Sequence, residues 1–287
     1  MELVSAVITT HNRLTLLRRA VQSVLDQTYE EIELIVVDDA SVDGTQAWCE
    51  EQARRSGFRY IRIAAQESRG GNHARNIGVL SSDGMYVAFL DDDDYWLPEK
   101  IAKQVACIRD SDCELVHCGR REEIVSVKGI RYRDRLPRPD QSGDMRVNSL
   151  LTIPATTTNL LIRRDALLEV GLFDEELRYW QEYELQIRLG QRTPFGCVPE
   201  PLSVYRVDVK DPSRLTNRYY EWKDAVTYIR CKHADLYAGL RRRDRLGARV
   251  LVWKDGAKRC LNAGLWARFV LHGTEYVLAA ALLRIWK

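Results

Sequence analysis

The stretch Met85-Tyr86-Val87-Ala88-Phe89-Leu90-Asp91-Asp92-Asp93-Asp94 decides the fold class of this chain of 287 residues. Its first part is an apolar run, which is typical of a strand buried within a parallel sheet. Four aspartates follow at the point where such a strand ends. In open α/β sheets, ligands bind just outside the carboxyl ends of the strands. The stretch therefore predicts a buried strand that brings carboxylates to a binding site.

Apolar runs and amphipathic stretches alternate on both sides of this strand. The predicted strands are residues 3–10, 32–37, 58–64, 85–90, 114–118, 157–162 and 202–207. The predicted helices are residues 14–26, 45–56, 72–80, one entered through Pro98, and 181–189, and residues 136–143 are expected to be irregular. Such alternation predicts βαβ units and an α/β protein with a mostly parallel, doubly wound central sheet.

Composition and cysteine usage favour a globular cytosolic protein. The chain is 45% hydrophobic and 29% charged, and no Gly/Ser- or Pro-rich linker divides it, so we expect one folded unit with a tail. Its 7 cysteines form no Cys-x-x-Cys pair, which favours reduced thiols over disulfides or a zinc site. The amino terminus is typical of a strand and not of a signal peptide. No apolar run approaches the roughly 18–20 residues that span a bilayer, so we expect no transmembrane helix.

The carboxy-terminal tail is strongly basic. From Arg241 onward, eleven Lys/Arg stand against three Asp/Glu, which gives +8 and leaves −6 for the first 240 residues of a chain whose net charge is +2. This tail also carries Trp266, Tyr276 and Trp286 among apolar neighbours. It forms either ordinary helices that pack on the domain or an amphipathic anchor at an anionic membrane surface. No nucleic-acid-binding module accompanies the charge, so nucleic acid is not an expected partner.

Two acidic clusters follow predicted strands. The four aspartates at residues 91–94 would form a solvated, helix-capping turn or a metal site, and we favour the metal because adjacent carboxylates repel unless a cation neutralises them. Mn²⁺ or Mg²⁺ suits carboxylates that leave positions open for a diphosphate. After the strand at 32–37, Ser41, Asp43 or Thr45 would cap the next helix. Capping does not explain Asp38 and Asp39, which would accept hydrogen bonds from a nucleobase or a ribose hydroxyl.

Two further segments are candidates for the site. The segment Ser68-Arg69-Gly70-Gly71-Asn72-His73-Ala74-Arg75 combines small residues, a helix start and arginines, which suits an anionic phosphate. The chain has neither a Gly-x-Gly-x-x-Gly fingerprint nor a P-loop, which argues against dinucleotide dehydrogenases and P-loop enzymes. Glu182 and Glu184 lie at the start of a predicted helix, where acids are favourable in any protein. Their spacing alone does not assign them a function.

Over roughly residues 3–206, the chain resembles the family 2 glycosyltransferases with the GT-A fold. Six segments recur in the order of that family, and they begin with Val7-Ile8-Thr9-Thr10-His11-Asn12-Arg13. The others are Ser23-Val24-Leu25-Asp26-Gln27-Thr28-Tyr29, Ile35-Val36-Val37-Asp38-Asp39-Ala40-Ser41, Phe89-Leu90-Asp91-Asp92-Asp93-Asp94, Gly171-Leu172-Phe173-Asp174-Glu175 and Gln181-Glu182-Tyr183-Glu184-Leu185. The resemblance implies a Rossmann-like GT-A domain with a helical carboxy-terminal extension.

The resemblance also implies roles for individual residues. Thr9 and Asp39 would contact the nucleobase, Asp92 the ribose and Arg75 the diphosphate. Asp93, with Asp91, would bind Mn²⁺ or Mg²⁺. Glu182 would be the base that deprotonates the acceptor hydroxyl. The family more often has Asp at that position, so Glu184 remains a rival.

The implied protein is an inverting glycosyltransferase. It would move a sugar, a UDP-hexose by resemblance, to a saccharide or lipid-linked saccharide hydroxyl in cell-surface polysaccharide or lipopolysaccharide assembly. We expect a catalytic domain at residues 1–212, with a nucleotide-sugar part at 1–118 and an acceptor part at 119–212, and a basic helical region at 213–287. The expected location is the inner face of the cell membrane. A non-catalytic nucleotide-sugar or saccharide-binding relative is the alternative, and a nucleotidyltransferase is disfavoured because the first loop lacks glycines.

Overall fold

The structure is a computed structural model that describes residues 2–209, 211 and 217–285. The strands are β1 (Val4–Thr10), β2 (Ile32–Asp39), β3 (Arg59–Ile63), β4 (Tyr86–Asp91), β5 (Tyr95–Trp96), β6 (Leu115–Ser126), β7 (Gly129–Arg135), β8 (Leu160–Arg163) and β9 (Phe195–Asp208). The helices of the first half are α1 (Leu14–Leu25), α2 (Thr45–Ser56), α3 (Gly71–Leu80), α4 (Lys100–Arg109) and α5 (Asn148–Leu151). Those that follow are α6 (Arg164–Glu169), α7 (Gln181–Arg192), α8 (Tyr219–Lys232), α9 (Ala234–Ala238), α10 (Arg242–Asn262) and α11 (Trp266–Ile285).

The described strands form one nine-stranded sheet in the order β3-β2-β1-β4-β8-β6-β9-β5, with β7 paired to β6. Strands β1 to β4 are parallel neighbours, and β6 pairs in parallel with β9. Strands β5, β7 and β8 run in the opposite direction. The predicted α/β class is thus confirmed, with a mostly parallel central sheet, flanking helices and a helical carboxy-terminal extension.

The strand register places the polar ends of three strands side by side. Thr9 lies opposite Val37 on β2 and opposite Asp91 on β4, and Thr10 lies opposite Asp38. The polar clusters that follow β1, β2 and β4 therefore meet at one edge of the sheet, as expected for parallel strands.

The sequence pattern was wrong at residues 157–159 and missed one strand, β7. Residues 157–159 form a short 3₁₀ helix, and the strand predicted at 157–162 begins only at Leu160. The strands predicted at 114–118 and 202–207 are parts of the longer β6 and β9. Strand β7 has no predicted counterpart, because every residue of this charged strand is exposed and it lacks the apolar alternation on which prediction relies.

Both faces of the sheet are buried. Ala6 and Ile8 of β1 pack with α1 and α4 on one face, whereas Val7 packs with α6 and α7 on the other. A third core joins α7 to the tail through residues such as Tyr183 of α7, Trp222 of α8 and Cys260 of α10. These tail helices therefore pack on the domain, and the proposed boundary at 212/213 falls outside the described residues.

Two findings bear on the expected environment of the chain. All seven cysteines carry free thiols. Within the described residues, no helix has both the length and the apolar character to cross a membrane.

Candidate functional site

A cavity of about 450 Å³ lies at the carboxyl ends of β1, β2 and β4, next to the first turns of α3 and α7. The seven residues to which the family resemblance assigns a role all line this cavity. They are Thr9, Asp39, Arg75, Asp91, Asp92, Asp93 and Glu182. The fold thus brings together residues that are up to 173 positions apart in the chain.

Asp92 and Asp93 share one arginine. Nη1 of Arg13 lies 3.1 Å from Oδ1 of Asp92 and 3.2 Å from Oδ2 of Asp93. Thr10 donates its hydroxyl to Oδ2 of Asp92 at 2.8 Å. Burial raises the pKa of Asp92 to about 6, against the opposing effect of Arg13. Asp92 is therefore held in a defined position, whereas Asp93 is 36% exposed and faces the cavity.

Local backbone geometry places Arg13 at this point. Asn12 adopts φ 53°, a left-handed conformation that asparagine tolerates better than most residues. The side-chain amide oxygen of Asn12 accepts a hydrogen bond from the backbone N–H of Val42, and the backbone N–H of Asn12 donates to the hydroxyl of Ser41. The loop after β1 is thereby tied to the loop after β2, and Arg13 points at the acidic motif.

The last aspartate of the motif has a structural position. Asp94 is fully buried, and its carboxylate accepts hydrogen bonds from Thr158 Oγ1 at 2.7 Å and from the N–H of Arg206 at 2.9 Å. Burial raises its pKa well above the usual range, and the charges of Asp93 and Asp91 add to this effect. Asp94 thus connects the end of β4 to the 3₁₀ helix at residues 157–159 and to β9, and it is not among the residues that line the cavity.

Asp91 is paired with Arg75. Nη2 of Arg75 lies 2.6 Å from Oδ1 of Asp91, and Nη1 donates to Asn72 Oδ1 at 3.0 Å. Arg75 is 8% exposed and its guanidinium lies over the ring of Phe173. Its charge therefore balances that of Asp91 at the start of α3, where helix N–H groups also favour an anion.

The carboxylates fit a divalent cation that is shared with a ligand. Asp91 and Asp93 offer hard oxygen donors, are 29% and 36% exposed, and line the same cavity. Among the described residues, no three His, Cys, Asp or Glu side chains are grouped so as to hold an ion by themselves. Mg²⁺ is commonly bound by one or two carboxylates together with substrate phosphates and water. The donor set matches that mode of binding.

The two acids that end β2 were both expected to meet a ligand, but only Asp39 lines the cavity, so the expectation for Asp38 was wrong. Asp38 is fully buried and is bound by the hydroxyl of Tyr60 at 2.7 Å, by Arg62, and by the N–H of Ser41, so it is a structural residue. Asp39 accepts the N–H of Gly70 at Oδ2, while its Oδ1 is buried and has no hydrogen-bond partner among the described residues. Such an atom calls for an explanation. A donor group of a ligand in the cavity would satisfy it.

The structure separates Glu182 from its rival Glu184. Glu182 lies in the first turn of α7 and lines the cavity, where burial raises the pKa of its carboxyl group. Glu184 is fully buried away from the cavity, within 2.7 Å of Arg188, 2.9 Å of Lys232 and 3.0 Å of His233. Despite the opposing effect of burial, hydrogen bonds from His233, Arg188 and Lys232 lower the pKa of Glu184 to about 2. Only Glu182 is placed to meet a ligand.

Several residues that line the cavity were not predicted as site residues. Thr10 and Arg13 belong to the first of the six motif segments, so their position at and just after the end of β1 could have indicated a place in the cavity. Arg259 comes from α10 of the tail, and no local pattern links it to the cavity. Arg178, Trp180, Tyr205 and Arg206 also contribute.

Sequence comparisons identify relatives of this chain. The family model for "Glycosyl transferase family 2" matches residues 5–171. An uncharacterized glycosyltransferase of Rickettsia prowazekii is 32% identical over 230 residues, which cover 77% of this chain and 70% of the relative. The UDP-Glc:alpha-D-GlcNAc-diphosphoundecaprenol beta-1,3-glucosyltransferase of Escherichia coli is 40% identical over 105 residues, covering 37% of this chain and 41% of that protein. The matched region covers 57% of the length of an uncharacterized glycosyltransferase of Rickettsia typhi and 29% of the length of one from Rickettsia bellii.

Solved structures share the fold at low identity. TarS of S. aureus, residues 1–349 in complex with UDP-GlcNAc, has a TM-score of 0.64 at 14% identity, covering 99% of this chain and 92% of that one. The mannosyltransferase PcManGT from Pyrobaculum calidifontis, in complex with GDP-Man and Mn²⁺, has a TM-score of 0.59 at 19% identity, covering 99% and 87%. At these identities the likeness establishes the fold alone.

Proposed function

Because the chain belongs to glycosyl transferase family 2, we propose that it transfers a sugar from a nucleotide-sugar donor to a saccharide hydroxyl with inversion of configuration. The family assignment makes it a glycosyltransferase related to enzymes of polysaccharide biosynthesis. The observation that carries the finer proposal is the convergence of Asp39, the carboxylates of Asp91 and Asp93, and Glu182 on one cavity. The proposed setting is cell-surface polysaccharide or lipopolysaccharide assembly.

The donor is proposed to bind along the ends of β1, β2 and β4. Thr9 and Asp39 contact the nucleobase, and the buried Oδ1 of Asp39 supports this role because it needs a donor. Asp92 contacts the ribose through the hydrogen-bonding capacity left by Thr10 and Arg13. Arg75 contacts the diphosphate at the start of α3, and this contact replaces part of the ion pair between Arg75 and Asp91.

Asp93 and Asp91 are proposed to hold Mn²⁺ or Mg²⁺ together with the diphosphate. The bound cation would stabilise the negative charge that develops on the leaving diphosphate. The donor set of two partly exposed carboxylates at one cavity supports this assignment. The Mn²⁺ of the mannosyltransferase from Pyrobaculum calidifontis is consistent with it.

Glu182 is proposed to be the general base. It takes the proton of the acceptor hydroxyl as the acceptor oxygen bonds to the anomeric carbon, and the bond from that carbon to the diphosphate oxygen breaks. Attack opposite the leaving group inverts the anomeric configuration, so an α-linked donor gives a β-linked product. The beta-1,3 linkage in the name of the Escherichia coli relative agrees with this outcome.

UDP-hexose is the proposed donor. UDP appears in the name of the Escherichia coli relative and in the TarS complex, whereas PcManGT binds GDP-Man. Calorimetric titration of UDP, GDP and their sugar conjugates, with and without Mn²⁺, tests the choice. Metal-dependent binding of UDP is expected, and preferential binding of GDP would overturn it.

The tail is proposed to bind an anionic membrane surface on the cytoplasmic side, where a lipid-linked acceptor would be presented. Between Val270 and Leu282, the exposed residues of α11 are apolar apart from Thr274, and the Glu275 side chain is partly exposed at 39%. Thr274 satisfies its own hydroxyl by donating to the carbonyl of Val270. The net charge of +8 from Arg241 onward complements anionic headgroups. Trp266 and Tyr276 belong to α11, and Trp286 lies outside the described residues.

The decisive experiment is a transfer assay with Asp93→Ala. The wild type should transfer sugar to a lipid-linked saccharide, and NMR of the product should show a β linkage from an α-linked donor. Asp93→Ala should lose transfer while its unfolding temperature stays close to that of the wild type. Full activity of Asp93→Ala would contradict the assignment. Binding of the nucleotide sugar without transfer to any acceptor would favour a non-catalytic binding protein.

A further inference from the structure

Trp180 adopts a conformation that the surrounding structure must enforce. It immediately precedes α7, which carries Glu182 in its first turn, and its backbone has φ 56° and ψ 27°. This left-handed conformation is unfavourable for a bulky residue and persists only where the surrounding structure enforces it. It sets the direction in which α7 starts, and therefore the position of Glu182 at the cavity.

A residue of the tail helix α10 holds this side chain. The indole Nε1 of Trp180 donates to Oδ2 of Asp255 at 2.9 Å. The buried indole ring also packs edge-to-face against Tyr183, at 4.9 Å between centroids, and against Trp222, at 5.5 Å. The hydrogen bond gives the ring one orientation, which aromatic packing alone specifies less strictly.

The same carboxylate oxygen of Asp255 also binds the guanidinium of Arg259, which lines the cavity. Nε of Arg259, one turn further along α10, lies 2.8 Å from Oδ2 of Asp255. The guanidinium of Arg259 lies over the rings of Tyr179 and Trp222, and Arg259 lines the cavity with Glu182. Asp255 thus connects α10 directly to Trp180 and, through Arg259, to Tyr179.

We propose that the Asp255–Trp180 hydrogen bond, with Arg259, is a positioning device for Glu182, so that α10 of the tail is part of the catalytic site. The inference rests on the proposed function of Glu182. The tail then has a role in the chemical step in addition to any role at a membrane. Loss of the hydrogen bond should let the first turn of α7 shift, and a displacement of about 1 Å costs up to about a hundredfold in rate.

Two variants test the inference. Trp180→Phe removes the N–H donor and keeps an aromatic ring, and Asp255→Leu removes both acceptor oxygens from a side chain of similar size. Each should lower kcat by about ten- to a hundredfold, with donor KM and nucleotide binding within about twofold of the wild type. Lys254→Gln, at the exposed neighbouring position of α10, is the control and should leave kcat unchanged.

A double-mutant cycle distinguishes positioning from a general effect on folding. In a Glu182→Gln background, Asp255→Leu should cause no further loss of residual transfer, because the group that Asp255 positions is already gone. Unchanged kcat in both single variants, or an equal loss with and without Glu182, would overturn the inference while leaving the transferase assignment intact. A wild-type protein without transfer activity would overturn the proposed function and this inference with it.

Discussion

Glu182 and Glu184 show how two nearby carboxylates acquire different chemistry from their surroundings. Both lie in the first turn of α7, but residues two positions apart on a helix point to different sides. Glu182 lines the cavity and has a raised pKa because protein replaces water around it. Glu184 is enclosed by three basic side chains that hold its charge. Only the first environment suits a base that must accept a proton.

Replacing Glu182 by Gln should lower kcat by about 10² to 10⁴-fold, as is typical for loss of a general base. The raised pKa of Glu182 means that the wild-type rate should fall on acidification at a pH above the usual glutamate pKa of about 4.5. Steady-state rates of both proteins from about pH 4.5 to 8 measure this. An acid limb that persists unchanged in Glu182→Gln would assign it to another group.

Replacing Glu184 by Gln should destabilise the protein and leave the chemistry of the cavity intact. Its folded pKa of about 2 lies below the ordinary value of 4.5, so its ionised form stabilises the fold above pH 4.5, and this contribution is lost as the pH falls toward 2. The shift corresponds to about 3 kcal/mol at pH 7. Denaturant unfolding should show this difference at pH 7 and a smaller one at about pH 3.5. Equal stability of both proteins at pH 7 would contradict the ion cluster.

At the scale of elements, α11 differs from the other long helices in what it exposes. Val270, Leu271, Val277 and Leu278 are each more than half exposed on one side of the helix, and its opposite side packs on α10. An exposed apolar helix face beside basic residues is typical of helices that lie in a membrane interface. Because only one face of α11 packs on α10, packing on the domain leaves the other face available for the proposed membrane contact.

Val277→Glu should weaken binding to lipid vesicles that contain anionic phospholipid by at least about tenfold. A valine inserted into the membrane would contribute about 1.5 kcal/mol or more to binding, and the substitution replaces it with a charge. Val127→Glu is a matched control, since Val127 is 79% exposed against 62% for Val277 but lies at the β6–β7 turn. Cosedimentation at low and high salt measures both variants. Equal binding of Val277→Glu and wild type to vesicles would contradict the proposed membrane role of α11. If the wild type instead dimerises with increasing concentration and Val277→Glu does not, this face binds a second copy of the chain.

At the scale of the whole molecule, one cavity depends on segments from nearly the full length of the chain. Residues of β1, β2 and β4 provide the proposed donor side, α7 provides Glu182, and α10 provides Arg259. A ligand that binds there should therefore stabilise the folded chain as a unit.

UDP with Mn²⁺ should raise the unfolding temperature, because a ligand at about 100 times its Kd adds about 2.7 kcal/mol, or roughly 5–10 °C for a domain of this size. UDP with EDTA should give a smaller shift. Differential scanning fluorimetry of the wild type and Asp93→Ala measures the metal-dependent part, which Asp93→Ala should lack. The same shift in both proteins would remove Asp93 from the proposed metal site.

The sequence by itself determined the α/β class and the positions of the polar clusters. Apolar runs reveal buried strands, and parallel strands bring the residues that follow them to one edge, so the pattern of residues was enough to place Asp39 and Asp91 together. Thr9, Asp39, Asp91, Asp92 and Asp93 meet at the cavity for this reason. Strand β7 was missed because a charged, exposed hairpin leaves no apolar period to read.

Only the tertiary structure decided the rest. It separated Glu182 from Glu184, enclosed Asp94, and gave Arg13 two carboxylate partners. It also brought Arg259 of the tail to the cavity, which no local signal indicated. Hydrophobic periodicity records which side of an element is buried, but not against what it is buried. Which buried side meets a cavity and which meets other side chains depends on contacts between segments far apart in the chain, and those exist only once the chain has folded.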